Sequence, residues 1–261
     1  MKQIASTIFG AVEGVFVGIF MHAGGMGLLA WNSLVATFTG KVARRDLIDQ
    51  MFNIGVQSIP LVIVMSGLSG IVTSQQGGYQ LTSSIPMYIL GSVVTSGIVL
   101  ELAPVMTAVG LIGRVGARIT AEIGTMKVSE QIDALYSLGR DPVAVLAAPR
   151  IIAGLVMTPM LVMIGDAIGV TAGMIAANLT SHLGPDSFLY GARLYWHSWD
   201  MVYGLIKGAT FGFIIPLISM HMGLLTTGGA EGVGRSTTAA VVLMIVAVFV
   251  SDAMFPPLLL N

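Results

Sequence analysis

The most constraining feature of this chain is a long stretch without charge. No Asp, Glu, Lys or Arg occurs from Met51 to Leu100. Across all 261 residues, 55% are hydrophobic and 10% are charged, whereas soluble domains carry about 25% charged residues. Such a chain has too little charge to cover a water-exposed surface, so its solvent is lipid. Its net charge of −1 and lack of cysteine also exclude a basic nucleic-acid-binding face and disulfides.

The apolar runs predict five membrane spans. A polar, glycine-rich stretch over 73–84 divides the uncharged region, and charged or glycine-rich stretches separate the others. Each run is long enough to cross a hydrocarbon core of about 30 Å. Gly165, Gly169 and Gly173 share one helix face and predict close helix packing. The fold class is therefore an all-α integral membrane protein with predicted spans over 51–72, 85–113, 151–177, 201–225 and 237–258.

The first apolar segment, 4–35, is less regular. Glu13, His22 and the Gly24-Gly25-Met26-Gly27 run interrupt it. We expect a helix that lies in the cytoplasmic interface, with a sixth span as the alternative.

Basic residues predict the orientation. Ten of the twelve Lys and Arg residues fall on one face when the five spans alternate, and the other face receives Arg193. The basic face should be cytoplasmic, which puts the N-terminus in the cytoplasm and the C-terminus outside. Trp196, Trp199 and Tyr203 are expected at the outer interface, where aromatic side chains are enriched.

Four residues of the Asp, Glu, Lys and Arg types fall inside predicted spans. Glu101 lies deep in the second span, where a charge costs about 2.5–3.5 kcal/mol on insertion scales, and Pro104 should kink the helix beside it. Glu101 is therefore expected to face a cavity or a partner. Lys207 has the opposite charge and could pair with Glu101 or with Asp252, purely as a structural ion pair or within a substrate path. Asp166, beside Gly165, is expected to serve helix packing.

The charged segment between the second and third spans carries two patterns. Arg114, Arg118 and Glu122 are spaced to share one helix face and could hold lipid headgroups or a partner. Residues 127–139 predict an amphipathic helix that ends at Gly139, either a plain surface helix or a contact for a soluble partner.

Sequence motifs exclude several activities. There is no GxxxxGK[ST] run, so the chain binds no ATP through a P-loop. No HExxH run or histidine cluster predicts a metal, and we expect no catalytic residue and no cofactor. Two alternatives remain: a rhomboid-type protease using Ser69 in Gly67-Leu68-Ser69-Gly70 with His221, and a secondary transporter that moves protons through Glu101.

The stretch from Glu101 to Arg150 resembles the MlaE/YrbE permease family of lipid-transporting ABC systems. The matching elements are ELAP, GRVGA, AEIGTM, EQIDAL, and DP followed by PR. The resemblance implies an N-terminal elbow helix, five spans, and a homodimer around a central lipid cavity. It also implies a coupling helix that docks into the ATPase, formed around Glu130, Gln131, Asp133, Arg140 and Asp141.

The same resemblance implies partners and a substrate path. The partners would be an ABC ATPase (MlaF-like), an outer MCE-domain protein (MlaD-like) and a STAS-domain protein (MlaB-like). Glu101, Lys207 and Asp252 match polar positions of the family's lipid path, with Gln76 and Tyr79 near its outer mouth. Leu100 departs from the pattern, since many relatives have Arg there. The implied function is phospholipid movement between a bacterial inner membrane and an MCE protein, with sterol or fatty-acid import as the alternative.

Overall fold

The protein consists of helices joined by short connections. The computed structural model describes residues 2–40, 42–81 and 85–259, with side chains from residue 20 onward. The α-helices are α1 (Lys2–Phe38), α2 (Arg44–Ile54), α3 (Ile59–Gln80), α4 (Ile89–Gly97), α5 (Ala103–Leu111), α6 (Ala117–Val128), α7 (Gln131–Ser137), α8 (Ala148–Ser181), α9 (Pro185–Leu194), α10 (Ser198–Leu224) and α11 (Gly229–Leu259).

Five continuous helical segments of the described chain are long and apolar enough to cross a membrane. We call them spans 1 to 5: Arg44–Gln80, Ile89–Val128, Val143–Ser181, Ser198–Leu224 and Gly229–Leu259. They confirm the all-α membrane class. Each contains most of one predicted span and extends beyond it, because helices continue past the hydrocarbon core into the interface.

The polar stretch that was expected to separate spans 1 and 2 is largely helical. Residues up to Gln80 belong to α3, and span 2 begins only at Ile89, after the predicted start at residue 85. Gly77 and Gly78 lie against Leu90 and Ser181, so these glycines permit close helix contact rather than a turn. The prediction was wrong here because this helix continues through residues of low hydropathy, which are stabilised by packing against neighbouring helices.

The spans run alternately up and down, giving the bundle two distinct ends. At one end, Arg150 of span 3 bonds to Glu122 of span 2 at 2.7 Å. At the other, the Trp199 indole donates to the Leu259 carbonyl at 3.0 Å, which joins the start of span 4 to the end of span 5. The first end carries most of the basic residues, and we call it the basic end. Its cytoplasmic placement stays a prediction.

Small residues bring the helices together. Gly70 of span 1 lies against the carbonyl of Gly169 in span 3, and Gly154 and Gly212 meet backbone to backbone where spans 3 and 4 cross. Gly165 and Gly173 likewise pack against spans 1 and 2. The predicted glycine face therefore serves packing within one chain, as expected for close helix contacts in membranes.

These contacts predict different responses from two glycines one turn apart. Gly70→Ala should destabilise the protein by about 1–3 kcal/mol, because its methyl group would overlap the Gly169 backbone. Gly67→Ala is the matched control, since a Cβ there meets only Ile168 at an ordinary 3.6 Å. Thermal unfolding of both purified variants checks this, and equal midpoints would contradict the assigned packing.

The N-terminal helix is longer and more regular than expected. It runs without a break through Gly24 and Gly27 to Phe38. Gly25 lies directly against the His221 ring of span 4, and Leu29 is buried. The helix therefore docks on the bundle near the basic end; its position in the membrane interface stays a prediction.

The predicted helix over 127–139 is interrupted. Lys127 and Val128 end α6, and Glu130 adopts a left-handed conformation with φ of 60°. α7 then covers only Gln131–Ser137. Hydrophobic spacing continues across this break although the chain changes direction, which is why the pattern predicted one helix. The predicted stop is confirmed, since Gly139 has φ of 70° beyond the end of α7.

Candidate functional site

Span 2 changes its hydrogen-bond pattern where Glu101 lies. Residues Ile98–Leu102 form a π-helical turn, and the Ala103 amide donates to the Ile98 carbonyl, five residues back. Pro104 has no amide hydrogen, so the Leu100 carbonyl lacks its regular α-helical donor. The proline expected to kink the helix thus leaves a free acceptor beside Glu101.

Lys207 of span 4 fills that gap and gathers two carboxylates. Its Nζ donates to the Leu100 carbonyl at 3.1 Å and to Glu101 Oε2 at 2.6 Å. The same Nζ lies 2.5 Å from Asp252 Oδ1 of span 5. The ammonium therefore donates two hydrogen bonds and lies within ion-pair distance of a second carboxylate. We call Glu101, Lys207 and Asp252 the charge cluster, which joins spans 2, 4 and 5.

Neighbouring residues on span 4 allow Lys207 to reach this position. Gly204 lies against the Val99 carbonyl of span 2, and Gly208 lies against Pro159 of span 3. Tyr203 packs beside the ammonium, with its ring centre 5.3 Å from Nζ. Tyr203 was expected at the outer interface but is buried, because one further turn of helix carries it into the bundle.

Exposure differs sharply within the charge cluster. The Lys207 side chain is fully buried and that of Asp252 is 12% exposed, whereas that of Glu101 is 48% exposed. The cluster is therefore held from inside the bundle, and about half of the Glu101 side chain stays exposed.

The two residues predicted at the outer mouth lie away from the cluster. Gln76 and Tyr79 are exposed on the last turns of α3, at the end opposite the basic end. Neighbouring Gly77 lies against Leu90, which precedes Glu101 by 11 residues, or about 16 Å of helix. Within one chain the structure does not join them to the charge cluster.

The predicted coupling residues lie at the basic end. Glu130, Gln131, Asp133, Arg140 and Asp141 are exposed, while Ile132 is buried and fixes α7 to the bundle. Asp133 pairs with Lys127 at 3.2 Å. Asp141 accepts a bond from the Val143 amide at 2.9 Å, at the start of span 3. α7 thus presents a polar face between the ends of two spans.

The charged face of span 2 is confirmed as a unit. Arg114, Arg118 and Glu122 line one cavity with residues of α2. Arg114 bonds to the Asn53 carbonyl, Ser58 Oγ and Gln57 Oε1. These contacts hold the break between α2 and α3, a role that spacing along a single helix could not reveal.

The protease alternative gains no support from the described contacts. The Ser69 hydroxyl donates to the Met65 carbonyl at 2.9 Å, and His221 Nε2 lies 2.9 Å from His22 Nδ1. Serine and histidine thus each have another partner. The His22–His221 pair was missed because the residues are 199 positions apart. The described residues hold no group of three or more His, Cys, Asp and Glu side chains suited to a metal.

Asp166 does not belong to the cluster either. It lies on span 3 beside the glycine face, and its Oδ1 is buried without a hydrogen-bond partner in the described structure. The expected packing role stays a prediction.

Comparison with known proteins places most of the chain in one family. A family model described as Permease MlaE matches residues 47–257. A probable ABC transporter permease protein of Synechocystis sp. is 38% identical over 213 residues, 82% of this chain and 81% of that protein. One from Rickettsia typhi is 38% identical over 82% of both chains. The Arabidopsis thaliana protein named TRIGALACTOSYLDIACYLGLYCEROL 1, chloroplastic, is 33% identical over 86% of this chain and 64% of its own length.

Proposed function

The chain belongs to the MlaE permease family, and from that premise we propose that it carries phospholipid through the membrane for an ABC transporter. It is a multi-pass membrane permease subunit. We further propose that two copies enclose the lipid path, that an ABC ATPase supplies the energy, and that an MCE-domain protein exchanges lipid with the permease. A STAS-domain protein would bind the ATPase, and the bacterial inner membrane would house the assembly, with the basic end in the cytoplasm and the C-terminus in the periplasm.

The open carboxylate of Glu101 is the observation that carries this proposal. A buried lysine and a second acid hold it in place, and intramembrane charges mark substrate pathways in many transporters because lipid tails solvate them poorly. About half of the Glu101 side chain is exposed outside its own bundle, so the space beside it needs a second wall. A lipid headgroup or its bound water would find its polar contact there.

The exposed apolar surface of span 5 supports the proposal that a second copy of the chain forms that wall. Its buried residues in the middle of the membrane follow a four-residue spacing: Ala240, Met244, Val248 and Asp252. Apolar side chains on its other faces, including Val242, Val246 and Phe249, are exposed. Such a helix contacts the bundle along one narrow line and leaves a broad surface for acyl chains and a partner copy.

The lipid class is supported by two further observations. The Arabidopsis relative bears the name of a glycerolipid, trigalactosyldiacylglycerol. The cluster combines one cation with two acids, which suits a zwitterionic or polyhydroxylated headgroup better than the single hydroxyl of a sterol. Gln76 and Tyr79 are exposed, and we propose that they meet the MCE-domain protein at the outer end.

Force would enter through α7. The α7 segment is short, fixed by Ile132, and inserted between the ends of spans 2 and 3. ATP-driven closure of the ATPase would displace it, and span 2 would transmit the displacement to Glu101. The lipid then moves because its affinity differs between the two conformations. Lys207 would keep spans 2, 4 and 5 together during that change.

Replacement of Glu101 tests the proposal. Glu101→Gln should reduce lipid flux by at least about tenfold, since hydrogen bonds to charged groups contribute about 1.5–3 kcal/mol. Dimer and ATPase should still co-purify, because Glu101 is half-exposed. The measurement is transfer of labelled phospholipid from proteoliposomes that contain the assembled complex. Glu231→Gln, an exposed acid at the start of span 5, is the matched control.

The same vesicles separate the alternatives. Unchanged phospholipid flux in Glu101→Gln would remove Glu101 from the mechanism. Faster transfer of labelled sterol or fatty acid than of phospholipid would favour the importer alternative. Transport that continues without ATP and stops when a proton gradient is collapsed would favour a proton-driven secondary transporter.

A further inference from the structure

A small cavity opens at the basic end, away from the charge cluster. It has a volume of about 170 Å³ and lies between α2 and span 2. Arg114 lies 13 residues beyond Glu101, or about 20 Å along the helix. The cavity is lined by Gln50, Asn53, Ile54, Arg114, Val115, Arg118, Ile119 and Glu122.

The cavity has two cations that form no ion pair with a carboxylate among the described residues. Arg118 is exposed and has no hydrogen-bond or ion-pair partner among the described residues. Arg114 bonds only to neutral oxygens, those of Asn53, Ser58 and Gln57. The one acid in the lining, Glu122, pairs instead with Arg150 at 2.7 Å. The two arginines are one helical turn apart, so their positive potentials add at the cavity.

Arg114 is also oriented in advance. Its three hydrogen bonds use three of the five donors of a guanidinium, which leaves two for a ligand. A guanidinium with two free donors can bind two oxygens of one phosphate, and such bidentate pairs are stronger than single bonds. Because the protein already fixes the side chain, binding there costs little additional conformational entropy.

The depth of the cavity indicates which anion can reach it. α2 carries Gln50 and Asn53 toward the cavity, while Ile48 and Phe52, on its opposite face, are 63% and 51% exposed. Exposed apolar side chains at the start of a spanning helix suit the boundary between acyl chains and headgroups. A cationic cavity at that level meets the phosphates of anionic lipids.

We propose that this cavity binds the headgroup phosphate of an anionic phospholipid, through Arg114 and Arg118. The bound lipid is separate from transported lipid at Glu101 and fixes the junction between α2 and α3 against span 2. The site does not require transport, so its test is a binding measurement.

The test uses the full chain purified in a neutral detergent and fluorescent phosphatidylglycerol as the probe. Arg118→Gln should weaken binding by about five- to tenfold, because a charge-assisted contact is lost. Arg45→Gln is the matched control, since it removes one exposed arginine that lies at the same basic end of the bundle but does not line the cavity. It should change the affinity less than twofold, and fluorescent phosphatidylcholine should bind more weakly than phosphatidylglycerol to the unaltered protein.

Four results would overturn the proposal. Unchanged phosphatidylglycerol affinity in Arg118→Gln would remove the site. Equal losses in both variants would indicate general attraction to a basic surface. Full displacement of the lipid by inorganic phosphate at similar concentration would indicate a free-phosphate site. In a companion purification of the assembled complex, loss of the ATPase from Arg118→Gln with lipid affinity intact would identify the cavity as a protein-docking surface. Arg114→Lys, which keeps the charge, is a second variant and should weaken lipid binding. Its unfolding midpoint should lie closer to that of the unaltered protein than the midpoint of Arg114→Gln does.

Discussion

Lys207→Met is expected to abolish lipid transport and to lower the free energy of unfolding by about 3–5 kcal/mol, the usual cost of removing one partner from a buried ion pair. The substitution leaves Glu101 and Asp252 facing each other without a cation, and it removes the donor that satisfies the Leu100 carbonyl. Thermal unfolding in detergent and lipid transfer from proteoliposomes measure the two effects.

Two further variants test whether the loss of stability comes from the uncompensated buried charge. Adding Glu101→Gln and Asp252→Asn to Lys207→Met should restore much of the lost stability, because neutral amides remove the uncompensated charge. Transport should stay absent, since the proposed polar contact is still missing. Lys127→Met, which breaks an exposed ion pair, should cost no more than about 1 kcal/mol. A Lys207→Met midpoint equal to that of Lys127→Met would contradict the buried role of the cluster.

Reversing the charge of α7 has the second large expected effect. Glu130→Lys combined with Asp133→Lys should weaken ATPase retention by at least about tenfold, because like charges brought together at an interface cost several kcal/mol. Both side chains are exposed, and the Lys127–Asp133 pair that is lost is partly exposed as well, so the fold should lose no more than about 1 kcal/mol. Glu130 already adopts φ of 60°, and lysine there has a similar backbone cost. Co-purification of the ATPase with the permease is the measurement.

Asp186→Lys is the control for that experiment. Asp186 is exposed at the start of α9, at the opposite end of the bundle. Its reversal should leave the ATPase bound. An intact and active complex in the α7 double variant would mean that α7 is only a surface helix and that force enters elsewhere.

Much of this architecture could be predicted because segments that face lipid must consist of apolar residues. The absence of charge between Met51 and Leu100 requires lipid-facing helices whatever their packing. The cost of intramembrane charge also predicted that Lys207 has an acidic partner. The sequence leaves the choice between Glu101 and Asp252 open. The structure brings both carboxylates to one ammonium, because span 4 lies between spans 2 and 5 at that level.

Other features depend on three-dimensional packing and left no simple pattern. The π-helical turn at Ile98–Leu102 is a change of hydrogen-bond partners in the backbone, which no residue pattern indicates. The donor to the Leu100 carbonyl is Lys207, 107 positions away along the chain. The break at Glu130 preserves hydrophobic spacing while the chain turns. Gly77 and Gly78 resemble loop residues until Leu90 and Ser181 are seen against them.

A density map of the purified assembly tests the central claim most directly, at a resolution that shows side chains and lipid. The account predicts two copies of the chain with elongated acyl-chain density between them, and a headgroup or ordered water against the exposed side of the Glu101 carboxylate. A single copy, or Glu101 sealed by neighbouring protein with no lipid beside it, would contradict the account.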